Sequence, residues 1–296
     1  GESHIIIHTY PEHNHVSLDC YTCFGNPSKI VNELMCNLKL IPIQIKEVLR
    51  GRDILEIGQQ DWMNALLSNS VIVKYHIKKN LFNRKSKYQQ INIIENNYFG
   101  KMLFLNNDLQ IAEYDAEIYN SNLVSPIAKQ GKLNKVLILG GGDGGVANEL
   151  LKSGAKEIVL VDVDSDVVKA CKKFMPEVWG LALKNPKVKV IIANAYQYLE
   201  KTNNEFDAII YDLTSHPEEV GIKISQRAFL DKIFSNIWRN LKVGGIMTMQ
   251  CCDESDKKTL RLIQSTLKKY FSNTNFVKSF IPSYCVNWIF AYTEDK

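Results

Sequence analysis

Short apolar stretches at His4–His8 and Val16–Tyr21 predict two strands joined by a turn at Pro11–Asn14. Pro27 then opens a helix that runs to about Leu38, with Ile30, Leu34 and Leu38 one turn apart on a single apolar face. Leu40–Leu49 reads as a further strand. Residues 51–68 carry no clear period and predict a linker with a short helix. From Val71 to Glu113 the pattern becomes extended: Ile72, Lys74 and His76 alternate with Val73, Tyr75 and Ile77. Gln90–Glu95 and Lys101–Leu105 follow, with Asn-rich turns at 96–97 and 106–107, which predicts a small antiparallel sheet. A helix from Glu113 to Ile127 leads out of it.

After Lys135 the pattern changes to alternating strands and helices. Val136–Leu139, Ile158–Val161, Val188–Ile192, Ala208–Tyr211 and Ile246–Met249 are short and rich in β-branched residues, as buried parallel strands are. The clearest helix between them carries Leu230, Phe234, Ile237 and Leu241 on one stripe. The expected fold is therefore α/β: a Rossmann-like, methyltransferase-type doubly wound sheet preceded by a small antiparallel β domain and an N-terminal α+β segment. The expected division is 1–50 for that segment, 51–68 for the linker, 69–127 for the β domain and 128–296 for the Rossmann-like domain.

Composition narrows the classes without changing this picture. The chain has 296 residues, 45% hydrophobic and 23% charged, as an ordinary globular protein does. No apolar run approaches the ~20 residues that span a bilayer, and no signal peptide is visible. The net charge of +4 is dispersed, its densest run being Lys78-Lys79 with Arg84-Lys85 and Lys87, and RNP-type motifs are absent; neither a nucleic acid nor a membrane is an expected partner. Seven irregularly spaced cysteines predict reduced thiols and a cytoplasmic location. Cys20 and Cys23 lack a second pair, and no metal is expected.

The chemistry concentrates where the first parallel strand enters Gly140-Gly141-Gly142-Asp143-Gly144-Gly145. Glycines let a first βα loop turn sharply and approach a ligand. Asp162 ends the second strand, where a carboxylate can hold both ribose hydroxyls, and Asp212 ends the fourth, on the edge where open α/β sheets bind ligands. Asp143 sits in the middle of the loop, where it repels a pyrophosphate and favours a cation. Sulfonium nucleotides are cationic, so a nucleotide without phosphates fits these charges better.

Val136–Gly145 resembles the glycine-rich signature of the spermidine/spermine synthase family of aminopropyltransferases. The resemblance extends in collinear order from Ile72 to Tyr292, through Tyr88-Gln89, Gln110–Asp115, Tyr119, Asp162, Asp212-Leu213-Thr214 and Ile281-Pro282-Ser283-Tyr284. It implies transfer of the aminopropyl group of decarboxylated S-adenosylmethionine to an amine, with no cofactor, in a homodimer. By the resemblance Gln89 and Asp162 hold the nucleoside, Asn194 and Ala195 lie near the adenine, and Asp143 pairs with the aminopropyl ammonium. Gly140, Gly141, Gly142, Asn120 and Tyr284 complete the binding set. Asp212 takes the proton from the attacking amine, with Tyr119 positioning it. The family's Asp-x-x-Asp is here Asp212-Leu213-Thr214-Ser215, so the second acid is missing and both putrescine and spermidine stay open as acceptors. Two other readings share the fold: a methyltransferase, against which Asp143 speaks because it repels the carboxylate of intact S-adenosylmethionine, and a non-catalytic partner subunit.

The first residues carry a second resemblance. Glu2-Ser3-His4 and the following Ile5–Glu12, with Asp19–Cys23, are similar to bacterial S-adenosylmethionine decarboxylase. The resemblance implies that Ser3 becomes a pyruvoyl group, an electron sink as pyridoxal is, that His8 assists processing, and that Cys23 donates a proton. A decarboxylase-like domain serving only dimerisation is the alternative. The segment that would form the small released chain is expected upstream of Gly1, as a further partner.

Overall fold

The computed structural model describes residues 4–21, 27–42, 44, 62–68, 71–202, 206–216 and 223–294. Two compact units divide the chain, 1–59 and 60–296. In the first, strands β1 (His4–Tyr10) and β2 (His15–Tyr21) pair antiparallel, with Ile6 opposite Asp19 and His8 opposite Ser17. A 3-10 turn, Pro11–His13, joins them, and Asn14 closes it in the left-handed region that its short polar side chain tolerates. Helix α1 covers Pro27–Asn37. The strand expected over Leu40–Leu49 falls mostly outside the described residues.

The second unit opens with a departure from the expected linker. Trp62–Ser68 is a strand, β3, paired antiparallel with β4 (Val71–His76). Its Ala and Leu residues favour helix locally, but Met63 and Ala65 turn inward across from Tyr75 and Val73, and this pairing overrides propensity. Next comes a four-stranded antiparallel sheet, β5 (Lys79–Lys85), β6 (Gln90–Asn96), β7 (Gly100–Leu105) and β8 (Asp108–Ala112). Asn106 and Asn107 both adopt positive φ in the two-residue β7–β8 turn, the backbone such a hairpin requires. Its two inner strands, β6 and β7, are buried on both sides, while β5 is largely exposed. Ile94, Met102 and Phe104 pack with Ala65 and Tyr75, while Ile91, Ile93 and Leu103 face the core of the larger sheet.

The larger sheet has seven strands: β9 (Lys135–Gly140), β10 (Glu157–Asp162), β11 (Val188–Ile192), β12 (Phe206–Asp212), β13 (Leu241–Asp253), β14 (Asn273–Ile281) and β15 (Val286–Glu294). Their order is β11-β10-β9-β12-β13-β15-β14; the first five are parallel, β15 runs antiparallel to β13, and the edge strand β14 pairs antiparallel with β15. Val136, Ile138, Ile158 and Leu160 point to one face, where α2 (Ala116–Lys129), α3 (Gly145–Lys152) and α4 (Ser165–Phe174) pack. Leu137, Leu139, Val159 and Val161 point to the other, against α6 (Ala195–Lys201), α7 (Gln226–Asn240) and α8 (Lys257–Leu267). Both faces of each central strand are dry, so the strands read as continuous apolar runs. A one-turn helix, α5 (Pro176–Trp179), follows α4. β14 and β15 are not among the elements the pattern predicts; β14 is a half-exposed edge whose residues, Asn273-Thr274-Asn275 among them, carry little apolar signal. Among the described residues no helix is long and apolar enough to cross a membrane.

Helix α2 starts at Ala116, later than the expected Glu113. Glu113 is committed to the small sheet, where its carboxylate accepts from Lys101 N at 3.1 Å. Asp115 is committed to the C-terminal hairpin: its carboxylate, buried, accepts from Ser283 N at 2.6 Å and Ser283 Oγ at 3.0 Å, and the Tyr75 hydroxyl donates to the Ser283 carbonyl. The three residues tie β4, the start of α2 and the β14–β15 turn into one buried knot. Asp115→Ala strands two donors of Ser283 out of water and is expected to lower the unfolding free energy by about 2–4 kcal/mol. Urea denaturation of the purified chain checks this, with Asp115→Asn, which keeps one acceptor, expected to cost less.

Candidate active site

The carboxyl ends of β9, β10 and β12 bring Asp143, Asp162 and Asp212 together. Gly140, at φ +86°, lets the chain leave β9 directly over the end of β12; a Cβ there would lie 2.2 Å from the Asp212 carbonyl oxygen. At Gly142 a Cβ would lie 2.6 Å from Asp162 Oδ2. The loop thus presses backbone against both neighbouring acids, and a side chain at either position has no room.

All three acids are half-buried, and among the described residues no Lys, Arg or His pairs with any of them. Burial, reinforced by the Asp143 charge, pushes the Asp212 carboxyl up to about 7, against the lowering effect of a hydrogen bond from Tyr119. Burial likewise lifts Asp162 to about 6, although its Oδ1 accepts from Asp164 N at 2.8 Å. Asp143 is raised by burial too, and its Oδ1 accepts from Gly145 N at 2.8 Å. These are like charges held in a low-dielectric cleft, so each ionises against the others.

Tyr119, buried on α2, donates its hydroxyl to Asp212 Oδ1 at 2.7 Å. Burial and the Asp212 charge hold that hydroxyl well above the usual phenol range, so it stays a donor. An aromatic row continues from it: Tyr284 lies 6.1 Å from Tyr119 between ring centres, and Trp288 lies 5.3 Å from Tyr284. The Tyr284 hydroxyl donates to the Gln110 carbonyl. Asn120 packs against Gly145 with its Oδ1 buried and, among the described residues, without a hydrogen-bond partner. Ser215, where a second acid was expected, is buried with its Oγ equally unpartnered.

Beyond Asp162 the site widens to two further strand ends. Asn194 caps α6, its Oδ1 accepting from Tyr196 N at 3.0 Å and Gln197 N at 3.1 Å. Its oxygen is therefore committed, and it offers a ligand only hydrogens. Ala195 beside it is buried. On the other side, Gln89 Nε2 donates to Asp164 Oδ2 at 3.2 Å.

The structure thus gathers Tyr119, Asn120, Gly140, Gly141, Gly142, Asp143, Asp162, Asp212 and Tyr284 at one edge, with Gln89, Asn194 and Ala195 at its flanks. His8 lies in the first unit on an exposed strand, while Ser3 and Cys23 lie outside the described residues. The pyruvoyl chemistry expected of Ser3 consequently has no described constellation around it. Sequence reasoning missed Gln250, which bridges Trp288 Nε1 (3.2 Å) and the Leu213 carbonyl (2.6 Å) and so braces the strand end carrying Asp212. It also missed Asp164 and Ser86, which meet across 78 residues. A signal for Asp164 existed, since it stands two residues past Asp162 at the start of a helix.

Comparison with known proteins fits this arrangement. Residues 116–296 match the spermine/spermidine synthase domain, residues 62–113 the spermidine synthase tetramerisation domain, and residues 1–51 S-adenosylmethionine decarboxylase. A polyamine aminopropyltransferase from Hydrogenobaculum sp. is 36% identical over 219 residues, covering 72% of this chain and 75% of the relative. One from Methanocaldococcus jannaschii is 34% identical over 218 residues, covering 73% and 71%. A solved spermidine synthase in complex with the transition-state analogue AdoDATO superposes with a TM-score of 0.71 at 26% identity, over 85% of this chain and 84% of that one.

The raised Asp212 carboxyl makes the empty site pH-sensitive. An acid whose pKa is higher folded than unfolded contributes stability below its unfolded value, near 4, and loses it as pH rises through about 7. Asp212→Asn is therefore expected to melt above wild type at pH 8 without ligand, and the gap to shrink to nothing toward pH 4–5. Thermal denaturation across that range measures it.

Proposed function

The chain belongs to the spermine/spermidine synthase family, and on that premise we propose that it transfers the aminopropyl group of decarboxylated S-adenosylmethionine to putrescine or spermidine, releasing methylthioadenosine. The observation that carries this reading is the trio of acids without a cation. A sulfonium donor with a free ammonium brings two positive charges, which favour ionisation of all three acids at neutral pH. Asp143 suits the ammonium and Asp162 the ribose hydroxyls. Asn194, with only hydrogens to give, suits a ring nitrogen of the adenine.

Asp212 is then the base. Its pKa is raised to about 7 in the empty site and is lowered again by the cationic donor, which leaves it ionised and ready to accept, and the Tyr119 hydrogen bond holds one oxygen so that the other can receive a proton. The amine nitrogen attacks the carbon attached to sulfur from the side opposite the C–S bond. That bond breaks with its electrons going to sulfur, the sulfonium becomes a neutral thioether, and the amine proton passes to Asp212. Positioning supplies much of the rate. No cofactor enters these steps. The aromatic row Tyr119–Tyr284–Trp288 offers flat apolar walls for the methylenes of the acceptor. Ser215 leaves the far end of that acceptor without the family's second acid, so diamine and triamine both fit this reading.

The match over residues 1–51 supports a fused decarboxylase that makes the donor, with a pyruvoyl group derived from Ser3. The tetramerisation-domain match supports an oligomer, of which a homodimer is the smallest form. The unpaired cysteines, among the described residues, support a cytoplasmic location.

Incubation with decarboxylated S-adenosylmethionine and either putrescine or spermidine is expected to yield methylthioadenosine and an aminopropylated amine, identified by mass. S-adenosylhomocysteine formed from S-adenosylmethionine would instead identify a methyltransferase. Asp212→Asn is expected to lower kcat by about 10²–10⁴-fold with smaller changes in donor KM.

A further inference from the structure

Asp164 is buried and pairs with no cation among the described residues, yet two side chains of one distant turn and a neighbouring backbone N–H converge on it. Ser86 Oγ donates to Oδ2 at 2.6 Å and Gln89 Nε2 to the same oxygen at 3.2 Å, while Asp166 N donates to Oδ1 at 3.0 Å. Ser86 and Gln89 belong to the β5–β6 turn, which is itself tightened by Ser86 N to the Gln89 carbonyl at 2.8 Å and by Gln89 N to Ser86 Oγ at 3.1 Å. Asp164 N in turn donates to Asp162 Oδ1 at 2.8 Å. One carboxylate therefore fastens a turn of the small sheet beside the carboxyl edge of the large one.

The chemistry of this fastening fixes more than position. A carboxylate only accepts, so the Gln89 side chain must give it the NH₂ end. The amide oxygen Oε1 is left over, and it accepts from no described residue. We propose that Asp164 is a positioning residue that sets the Gln89 amide so that Oε1, not Nε2, is presented beside Asp162 to a hydrogen-donating group of the nucleoside, a ribose hydroxyl. The proposal rests on the donor reading above and adds to it a reason for the orientation of Gln89.

Asn at 164 separates this role from helix capping. Its single oxygen can keep the Asp166 N–H, while its NH₂ replaces Oδ2 and calls for the opposite end of Gln89. The amide then turns round, and the ribose meets a hydrogen where it needs a lone pair. For Asp164→Asn in the full chain, the methylthioadenosine Kd by calorimetry and the donor KM are expected to rise about tenfold, with kcat and acceptor KM within about twofold and thermal stability near wild type.

Gln89→Glu alone sets two carboxylates against each other and is expected to weaken binding comparably. The double variant Asp164→Asn/Gln89→Glu restores an acceptor beside Asp162 and a donor at 164, and its Kd is expected to return to within about threefold of wild type. An unchanged Kd in Asp164→Asn overturns the proposal, and so does a double variant no better than the singles. A wild type that binds methylthioadenosine with this pattern of variants but makes no aminopropylated product leaves the positioning role standing and removes the transferase reading.

Discussion

Three carboxylates crowded on one sheet edge, without a paired cation among the described residues, set the terms for the rest of the catalytic half. Each needs water or a counter-charge, and the fold supplies neither in full. What it supplies is backbone: Gly145 N to Asp143, Asp164 N to Asp162, and a single phenol, Tyr119, to Asp212. These donors keep the acids in place without neutralising them. The glycines follow from the same constraint, because the loop has to pass within van der Waals contact of Asp162 and the end of β12. A cleft built this way is incomplete until a positive ligand arrives.

Local pattern exposed the part of this that lies within single strands. Asp162 and Asp212 were legible because each follows an apolar run at a strand end, and the glycine loop because it interrupts one. The doubly wound class emerged from the spacing of those runs, and the strand order did not. Contacts across long separations were not legible. Nothing near Ser283 announces that it will meet Asp115, 168 residues earlier, and nothing near Ser86 points to Asp164. β3 was hidden for a related reason: Ala and Leu say helix until a partner strand is beside them.

The small sheet and the large one are therefore joined by polar contacts as much as by apolar ones. The knot of Tyr75, Asp115 and Ser283 fixes the start of the helix that carries Tyr119 and Asn120. The clasp at Asp164 fixes the turn that carries Gln89. Between them, Gln250 links the last strand to the end of β12. Each is a small set of polar contacts, and each lies close along the chain or through a hydrogen bond to a group assigned to the substrate. On the proposed reading, the site is thus held in place by residues that are not themselves assigned to the substrate.

Asn194 closes α6 with its oxygen and has only its NH₂ to spare. On the proposed reading, that makes the side chain sensitive to lone pairs on the purine ring and indifferent to the exocyclic amino group. A hypoxanthine nucleoside, which carries a hydrogen at the ring nitrogen where adenine carries a lone pair, would meet donor against donor if that nitrogen is the one addressed. The helix cap then also serves as a filter for deaminated nucleosides, one that requires no residue beyond those that end the strand and start the helix.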